Sequence, residues 1–208
     1  MPTEFSGFSP AARRFFRDLA QHNNRDWFQT HKDIYERACR TPMQQLGEAL
    51  APRFGPVKIK RINRDTRFAA DKSPYKTRIS ATVGPNYVSL SADGLYVGAG
   101  VYMPDSATLE RFRGAIAADV SGPRLARIVA TLRRKGYDVA THDTLTGTPR
   151  GYKADHPRIE LLKMKDLFAG KSFKPAPWLA TKGALNRIVK VMTDVKPLTE
   201  WYTQYVGR

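Results

Sequence analysis

The segment from Arg61 to Arg78, RINRDTRFAADKSPYKTR, concentrates side chains that could bind an anion. Residues 58–78 carry eight basic and two acidic side chains, a local net charge of +6. Arginine presents a planar fork that matches a carboxylate or a phosphate, and lysine presents a compact positive charge. Two acids cannot neutralise eight bases, so some of these cations must face water or a ligand.

Ten residues are candidates for a site built on this segment. Those with a charge or ring suited to binding an anionic ligand are Arg61, Arg64, Asp65, Arg67, Lys72, Lys76 and Tyr102. Those suited to moving protons, if the protein catalyses a reaction, are Asp71, Tyr75 and His156. The competing interpretation is a structural ion-pair lattice. In it, neighbouring arginines neutralise the two acids, and the ion pairs only hold the loop in place.

Other recognised site patterns are missing from the sequence. The four histidines and Cys39 lack metal-ligand spacing, so we predict no metal site. There is no phosphate-binding loop, and GLYVGAG lies inside a predicted strand rather than before a helix, so we predict no cofactor. Nucleophile elbows and protease-like cysteine signatures are absent as well. The sequence leaves open whether the protein is an enzyme.

The overall charge also favours an anionic partner. The 208 residues carry a net charge of +16, with a sequence pI near 10.2. Residues 81–120 have a net charge of −2 and residues 121–208 one of +10, so a nearly neutral middle separates two basic segments. Such an excess attracts polyanions or phosphorylated ligands but does not determine the fold.

Composition indicates an ordinary folded chain. The apolar share of 41% and the charged share of 26% are typical of soluble globular proteins. No apolar run is long enough to cross a membrane, and no secretory signal is recognised at the N-terminus. A single cysteine excludes an intrachain disulfide and fits a reducing compartment. We therefore expect a cytoplasmic protein that does not enter membranes.

Helices are predicted on both sides of a central β region. Ser9-Pro10, Asn24 and Thr41-Pro42 are expected to start helices within the first fifty-five residues. Later helices are expected to begin near Asp105 or Ser106, to end at Gly136, to open at 155–157, and to run from about Pro177 until Pro197 breaks the last one. Trp27, Phe28, Trp178 and Trp201 are expected to be core residues.

The central region, residues 58–102, is predicted to be an antiparallel meander, because its residues alternate with a period of two and its connections are short. If residues 61–68 form a strand, Arg61, Asn63, Asp65 and Arg67 share one face. Two glycines on one face of the 95–102 strand indicate close approach by another backbone or a ligand. We predict a single α+β domain over residues 1–208, with helices packed on this sheet.

Five segments distributed over nearly the whole chain are RDTRFAADKSPYKT, NNRDWF, GLYVGAGVYMP, RFRGAI and DHPRIELLKMK. These segments carry a resemblance to an uncharacterised bacterial family, domain of unknown function 2461. It implies one compact domain and, as shared polar residues of the central motif, Arg64, Asp65, Arg67, Asp71, Lys72, Tyr75 and Lys76. Asp155 and His156 match the late motif. The resemblance implies no particular activity.

Three functions from different classes fit these observations. The favoured one is a polar pocket for a phosphorylated or carboxylated small molecule, with or without catalysis, because acids and a tyrosine are interleaved with the cations. The second is nucleic-acid binding along basic stripes, with Phe68, Tyr75 and Tyr102 able to stack on bases. The third is a scaffold that binds an acidic protein and needs no pocket.

Overall fold

Six strands form an antiparallel sheet, and helices precede and follow these strands along the chain, which confirms the predicted α+β class. The structure is a computed structural model and describes residues 4–67, 70–102 and 104–207. The strands are β1 (Val57–Ile59), β2 (Arg78–Val83), β3 (Asn86–Ser91), β4 (Gly94–Val101), β5 (Asp138–Ala140) and β6 (Leu167–Phe173). Their order in the sheet is β1-β2-β3-β4-β6-β5, so the predicted meander is present as β1 to β4.

The helices precede and follow the meander, as the apolar periodicity predicts. They are α1 (Pro10–Gln21), α2 (Arg25–Thr30), α3 (Lys32–Tyr35), α4 (Thr41–Phe54), α5 (Ser106–Ala117), α6 (Ser121–Arg134), α7 (Ile159–Lys163) and α8 (Gly183–Tyr205). A π-helical turn occupies Glu36–Arg40, and a 3-10 turn occupies Pro177–Ala180. None of the described helices is both long and apolar enough to cross a bilayer.

Contacts divide the chain into two compact units. The first comprises residues 1–97 and 172–190, and the second comprises residues 98–171 and 191–208. The boundaries fall inside β4, β6 and α8, so these three elements contribute residues to both units.

In the first unit, helices cover the strands of the meander. α4 packs on β1 and β2, and α1 packs on β3 and α3. The apolar face of α1 supplies Phe15, Phe16 and Leu19 to the core, as the sequence predicts. Cys39 is buried beside α1, and burial raises the pKa of its thiol to about 12, which suits a packing residue better than a nucleophile.

In the second unit, α5 packs on α6 and α7, and α6 packs on β5. α5 begins at Ser106, as predicted, and the Asp105 carboxylate caps it by accepting a hydrogen bond from the Thr108 backbone N–H. Gly136 follows α6 with φ of +74°, which confirms it as the residue that ends this helical segment. Trp201 is fully buried, and its indole N–H donates to the backbone oxygen of Ser121.

Helix starts at prolines are only partly as predicted. α1 begins at Pro10 after Ser9, and the Asn24 side chain caps α2. Thr41 does not cap a new helix, because its backbone is already helical and continues the turn at Glu36–Arg40. Pro42 lacks an N–H, and the widened π-helical turn before it accommodates that loss without ending the helix.

The ends of α7 and α8 also differ from the prediction. α7 begins at Ile159 rather than at 155–157. α8 does not break at Pro197 but continues to Tyr205. Its buried stripe runs on through Val195, Leu198 and Trp201, so continuous packing outweighs the hydrogen bond lost at one proline.

The sequence analysis missed one strand and misplaced two tryptophans. Strand β6, which lies between β4 and β5 in the sheet, was not predicted. Trp27 and Trp178 are only half-buried, whereas Phe28 and Trp201 belong to the core. The guanidinium of Arg187 covers the Trp178 ring at 4.7 Å, so this tryptophan packs partly against a cation near the surface.

Candidate anion-binding site

The basic segment forms an arm that continues the β1–β2 hairpin. We call residues 60–67 and 70–78 the arm. The backbone N–H of Lys60 donates to Ser80 O at 2.8 Å, that of Lys76 to Ile62 O at 2.9 Å, and that of Arg64 to Pro74 O at 2.8 Å. These bonds hold the two sides of the arm antiparallel.

The arm is not the regular strand predicted for residues 61–68. Within the described residues 61–67, only Asn63 takes part in β pairing, as an isolated bridge to Tyr75. Two consecutive backbone hydrogen bonds join Lys60 to Ser80 and Ile62 to Lys76. Between them, one side of the arm has one residue and the other side has three, so the ladder contains a bulge. Pro74 also lacks an N–H for the ladder. Phe68 lies outside the described residues.

The predicted two-faced pattern is nevertheless present. The four residues expected on one face are exposed, and the described residues expected on the other are half-buried. The exposed set is Arg61, Asn63, Asp65 and Arg67, and the half-buried set is Ile62, Arg64 and Thr66. One face of the arm is therefore an exposed polar surface.

Asp65 holds the guanidinium of Arg67 in a two-point ion pair. Arg67 Nε lies 3.0 Å from Asp65 Oδ1, and Nη2 lies 2.7 Å from Oδ2. Hydrogen bonds from the Arg67 side chain and then from its backbone N–H lower the pKa of Asp65 below the ordinary aspartate value. Arg61 Nη2 approaches the same carboxylate at 4.0 Å. Asp65 is thus an ionised acceptor that orients an exposed arginine.

Asp71 joins the tip of the arm to Arg64. Arg64 Nη1 lies 2.6 Å from Asp71 Oδ2, and the Ser73 backbone N–H donates to Oδ1 at 2.9 Å. The Ser73 hydrogen bonds, more than the charge of Arg64, lower the pKa of Asp71. A carboxyl group held ionised in this way can accept a proton but is a poor proton donor at neutral pH.

Tyr75 anchors the arm to the helical part of the first unit. Its ring is 5% exposed and stacks on Phe28, with centroids 4.1 Å apart. The Asn23 side chain donates to Tyr75 O at 2.9 Å and accepts from Tyr75 N at 3.1 Å. Arg64 Nη2 also donates to Tyr75 O, at 3.3 Å. The Tyr75 ring is therefore buried in the core and does not offer an exposed face to a ligand.

Two lysines tie the arm together through backbone oxygens. Lys72 Nζ donates to Thr66 O at 3.0 Å, and Lys76 Nζ donates to Arg61 O at 2.8 Å. A lysine ammonium has three donor hydrogens, so each can bond a carbonyl and still reach a ligand.

Lys76 also lies in a group of like charges. Desolvation lowers its pKa first, and the charges of Arg61, Arg78 and Lys60 lower it further. We call Lys60, Arg61, Lys76 and Arg78 the cationic cluster. Within the described residues, neither Lys60 nor Arg78 has an ion-pair partner. Sequence reasoning did not include these two among the ligand-binding residues; their place beside Lys76 follows from the bulged pairing of the arm.

The remaining two candidates, Tyr102 and His156, belong to the second unit. His156 Nδ1 accepts from the Arg158 backbone N–H at 3.0 Å, and His156 O accepts from Ile159 N, so its contacts serve the turn before α7. Tyr102 is exposed, and its ring is nearly perpendicular to that of His142, with an interplanar angle of 88°. The other eight candidates all lie in the arm of the first unit.

Comparisons with known proteins add a family but no activity. No curated protein and no solved structure matches the chain. The model of one family matches residues 11–201, which include the whole arm and the turn that holds His156. The chain therefore belongs to the family described as conserved hypothetical protein, domain of unknown function 2461.

Proposed function

We propose that the protein binds a phosphorylated or carboxylated small molecule through the arm. The observation that carries this proposal is the cationic cluster, in which Arg61, Arg78 and Lys60 all disfavour the charged form of Lys76. Among the described residues, the acid that contacts the cluster is Asp65, which lies 4.0 Å from Arg61 and is already paired with Arg67. Like charges repel, so the cluster raises the free energy of the folded state unless an anion neutralises it. A bound anion would remove that repulsion.

The ion pairs of the arm support the same function. Asp65 and Asp71 each fix one arginine, Arg67 and Arg64 respectively, while Asn23 holds the backbone of Tyr75. An arm held in place before the ligand arrives loses less conformational entropy on binding. The acids thus act as orienting groups, which a surface that binds phosphate only through net charge would not require.

A thermal-shift experiment with a matched pair of double variants tests this proposal. Lys60→Gln/Arg78→Gln removes two charges from the cationic cluster, and Arg14→Gln/Lys32→Gln removes two exposed charges elsewhere in the first unit. Ligands are tripolyphosphate, citrate, a sugar phosphate and DNA of about 20 nucleotides, each at low and high salt.

For the wild-type protein and the control, a small anion at a hundred times its Kd is expected to add about 2.7 kcal/mol of stability. That gain corresponds to a rise in Tm of about 5–10 °C. The cluster variant should lose most of the shift. If both double variants lost the same part of the Tm shift, the small anion would be held only by the net positive charge of the protein and not by the cationic cluster. A shift caused only by DNA and erased by salt would assign the arm to nucleic-acid binding instead.

The lowered pKa of Lys76 predicts an alkaline limit for anion binding. Its ammonium loses the proton at a lower pH than an ordinary lysine, so affinity for tripolyphosphate should fall as pH rises through that pKa. In the free protein, stability should rise over the same range, up to the ordinary lysine pKa, because the unfolded chain then binds more protons. Calorimetric titration of wild-type protein and Lys76→Met with tripolyphosphate measures the affinity, and thermal unfolding of the two free proteins measures the stability. A pH profile that Lys76→Met leaves unchanged would contradict the assignment.

A further inference from the structure

A second group of chemically capable side chains lies in the second unit, where β5 and β6 pair. Their register places Asp138 opposite Gly170 and Ala140 opposite Phe168, and the isolated bridge from Thr144 to Met164 continues it. The same register puts His142 directly opposite Asp166. Directly opposed residues on neighbouring strands project their side chains to the same face, so the backbone pairing itself brings these two groups together.

Asp166 is a buried carboxylate that receives several hydrogen bonds. Only 3% of it is exposed. Oδ1 accepts from Thr141 Oγ1 at 2.7 Å and from the His142 backbone N–H at 2.8 Å, and Oδ2 lies 2.8 Å from His142 Nδ1. Donors directed at both oxygens favour the ionised carboxylate. Opposite an ionised carboxylate, the proton of the His142–Asp166 hydrogen bond is assigned to Nδ1, and in the neutral imidazole Nε2 then carries the lone pair.

The rest of the imidazole is held by two aromatic rings and remains accessible. The Tyr102 ring lies edge-on at 4.8 Å between centroids, and the Phe168 ring lies at 4.5 Å. Half of the His142 side chain, 48%, is exposed. Nδ1 faces the buried carboxylate, and Nε2 has no hydrogen bond to the residues that the structure describes, so Nε2 is the ring nitrogen left for a ligand.

Gly100 allows this arrangement. Its φ is +155°, and a Cβ there would strike the backbone oxygen of Leu167 and the backbone of Phe168. The sequence-based expectation that a strand glycine marks close backbone approach is therefore confirmed at this position. Tyr102 follows two residues later, immediately after β4 ends, and its ring lies 4.8 Å from that of His142.

We propose that His142 is a general base for ester hydrolysis, with Asp166 as its positioning residue and Tyr102 as the binding surface for the substrate. Nε2 takes a proton from a water molecule while the water oxygen bonds to the ester carbonyl carbon. When the intermediate collapses, the bond from carbon to the leaving oxygen breaks, and the proton on Nε2 passes to that oxygen. Water is the only co-reactant.

The surroundings of His142 select the substrate class. Among the described residues, the side chains that contact this imidazole are one carboxylate and two aromatic rings, and none is cationic. Lys165, next to Asp166 in the sequence, is paired with Asp143 at 2.6 Å, so its charge is balanced by a carboxylate rather than free to bind an anion. An uncharged ester with an aromatic or apolar group fits this environment better than a phosphate. This proposal does not depend on the function of the arm.

Nitrogen NMR of histidine-labelled protein tests the geometry without a substrate. At alkaline pH, where imidazole is neutral, His142 is expected to carry its proton on Nδ1. Asp166→Asn should move the proton to Nε2, because an amide N–H would then donate to Nδ1. His22, an exposed imidazole of the first unit that stacks on Trp27, serves as the internal reference. A wild-type His142 with its proton on Nε2 would overturn the proposal.

Hydrolysis of 4-nitrophenyl acetate tests the chemistry. His142→Gln and Asp166→Asn should each lower kcat/KM by about 100-fold or more, the usual range for a general base. His22→Gln should leave the rate unchanged. Tyr102→Ala should raise KM with little effect on kcat. Because His142 is exposed, its variant is expected to fold, and a melting curve checks this. Equal rates in wild-type protein and His142→Gln would refute the role of His142.

Discussion

Replacing Tyr75 with alanine is expected to destabilise the protein by about 3–5 kcal/mol, the usual cost of truncating a buried aromatic side chain. The ring is 5% exposed and stacks on Phe28 with an interplanar angle of 17°. Its removal leaves a cavity between the arm and the helix that carries Phe28, which the backbone bonds to Asn23 hold open. Chemical denaturation measures the loss, and an unchanged midpoint would contradict the packing described.

Tyr75→Phe separates packing from chemistry at the same position. It keeps the stacked ring, so stability should stay within about 1 kcal/mol of the wild-type value. Tripolyphosphate affinity should also be retained if the ring only anchors the arm. Lost affinity with retained stability would instead give the hydroxyl a role at the ligand, as the sequence-based hypothesis for Tyr75 holds.

Trp201→Ala is the second substitution with a large expected effect, again about 3–5 kcal/mol. The indole is fully buried, donates to Ser121 O at 2.8 Å, and packs edge-on against Phe112 with centroids 6.1 Å apart. Truncation removes apolar contacts of α8 and leaves the Ser121 oxygen without this donor. Denaturant titration measures the change.

Trp178→Ala is the matched control for that variant. Trp178 is half-buried and covered by Arg187, so its truncation creates little cavity and should cost clearly less than Trp201→Ala. Equal losses in the two variants would show that burial does not set the contribution of these tryptophans.

Local signals predicted much of the fold. The start of α1 after Ser9, the Asn24 cap of α2 and the Asp105 cap of α5 depend on a few adjacent residues, and so does the end of the helical segment at Gly136. The hairpins of the meander follow from short turns between alternating segments. Each of these features is determined within a few residues of the chain, where propensity and capping act.

Features that depend on distant contacts were missed. In β6, Leu167, Ala169 and Gly170 are all buried, so its sequence lacks the regular alternation that marks a half-exposed strand. Pro197 stays inside α8 because of tertiary packing on its apolar stripe. In both cases the surrounding fold, rather than the local sequence, determines the structure.

The candidate site shows the same division. The alternation of residue types over residues 61–68 was enough to predict that Arg61, Asn63, Asp65 and Arg67 share one exposed polar face. It could not predict that Arg64 pairs with Asp71 instead of the adjacent Asp65, since this depends on how the tip of the arm turns back. Nor could it predict the His142–Asp166 pair, because that contact follows from the register of a strand, β6, that was not recognised.

Amide NMR of the labelled protein during a tripolyphosphate titration tests the central claim most directly, because it locates binding as well as detecting it. The account predicts saturable shifts concentrated at residues 60–67 and 72–78, and their loss in Lys60→Gln/Arg78→Gln but not in Arg14→Gln/Lys32→Gln. Shifts centred on the basic residues of α6 or α8, or none at concentrations up to the millimolar range, would contradict anion binding by the arm.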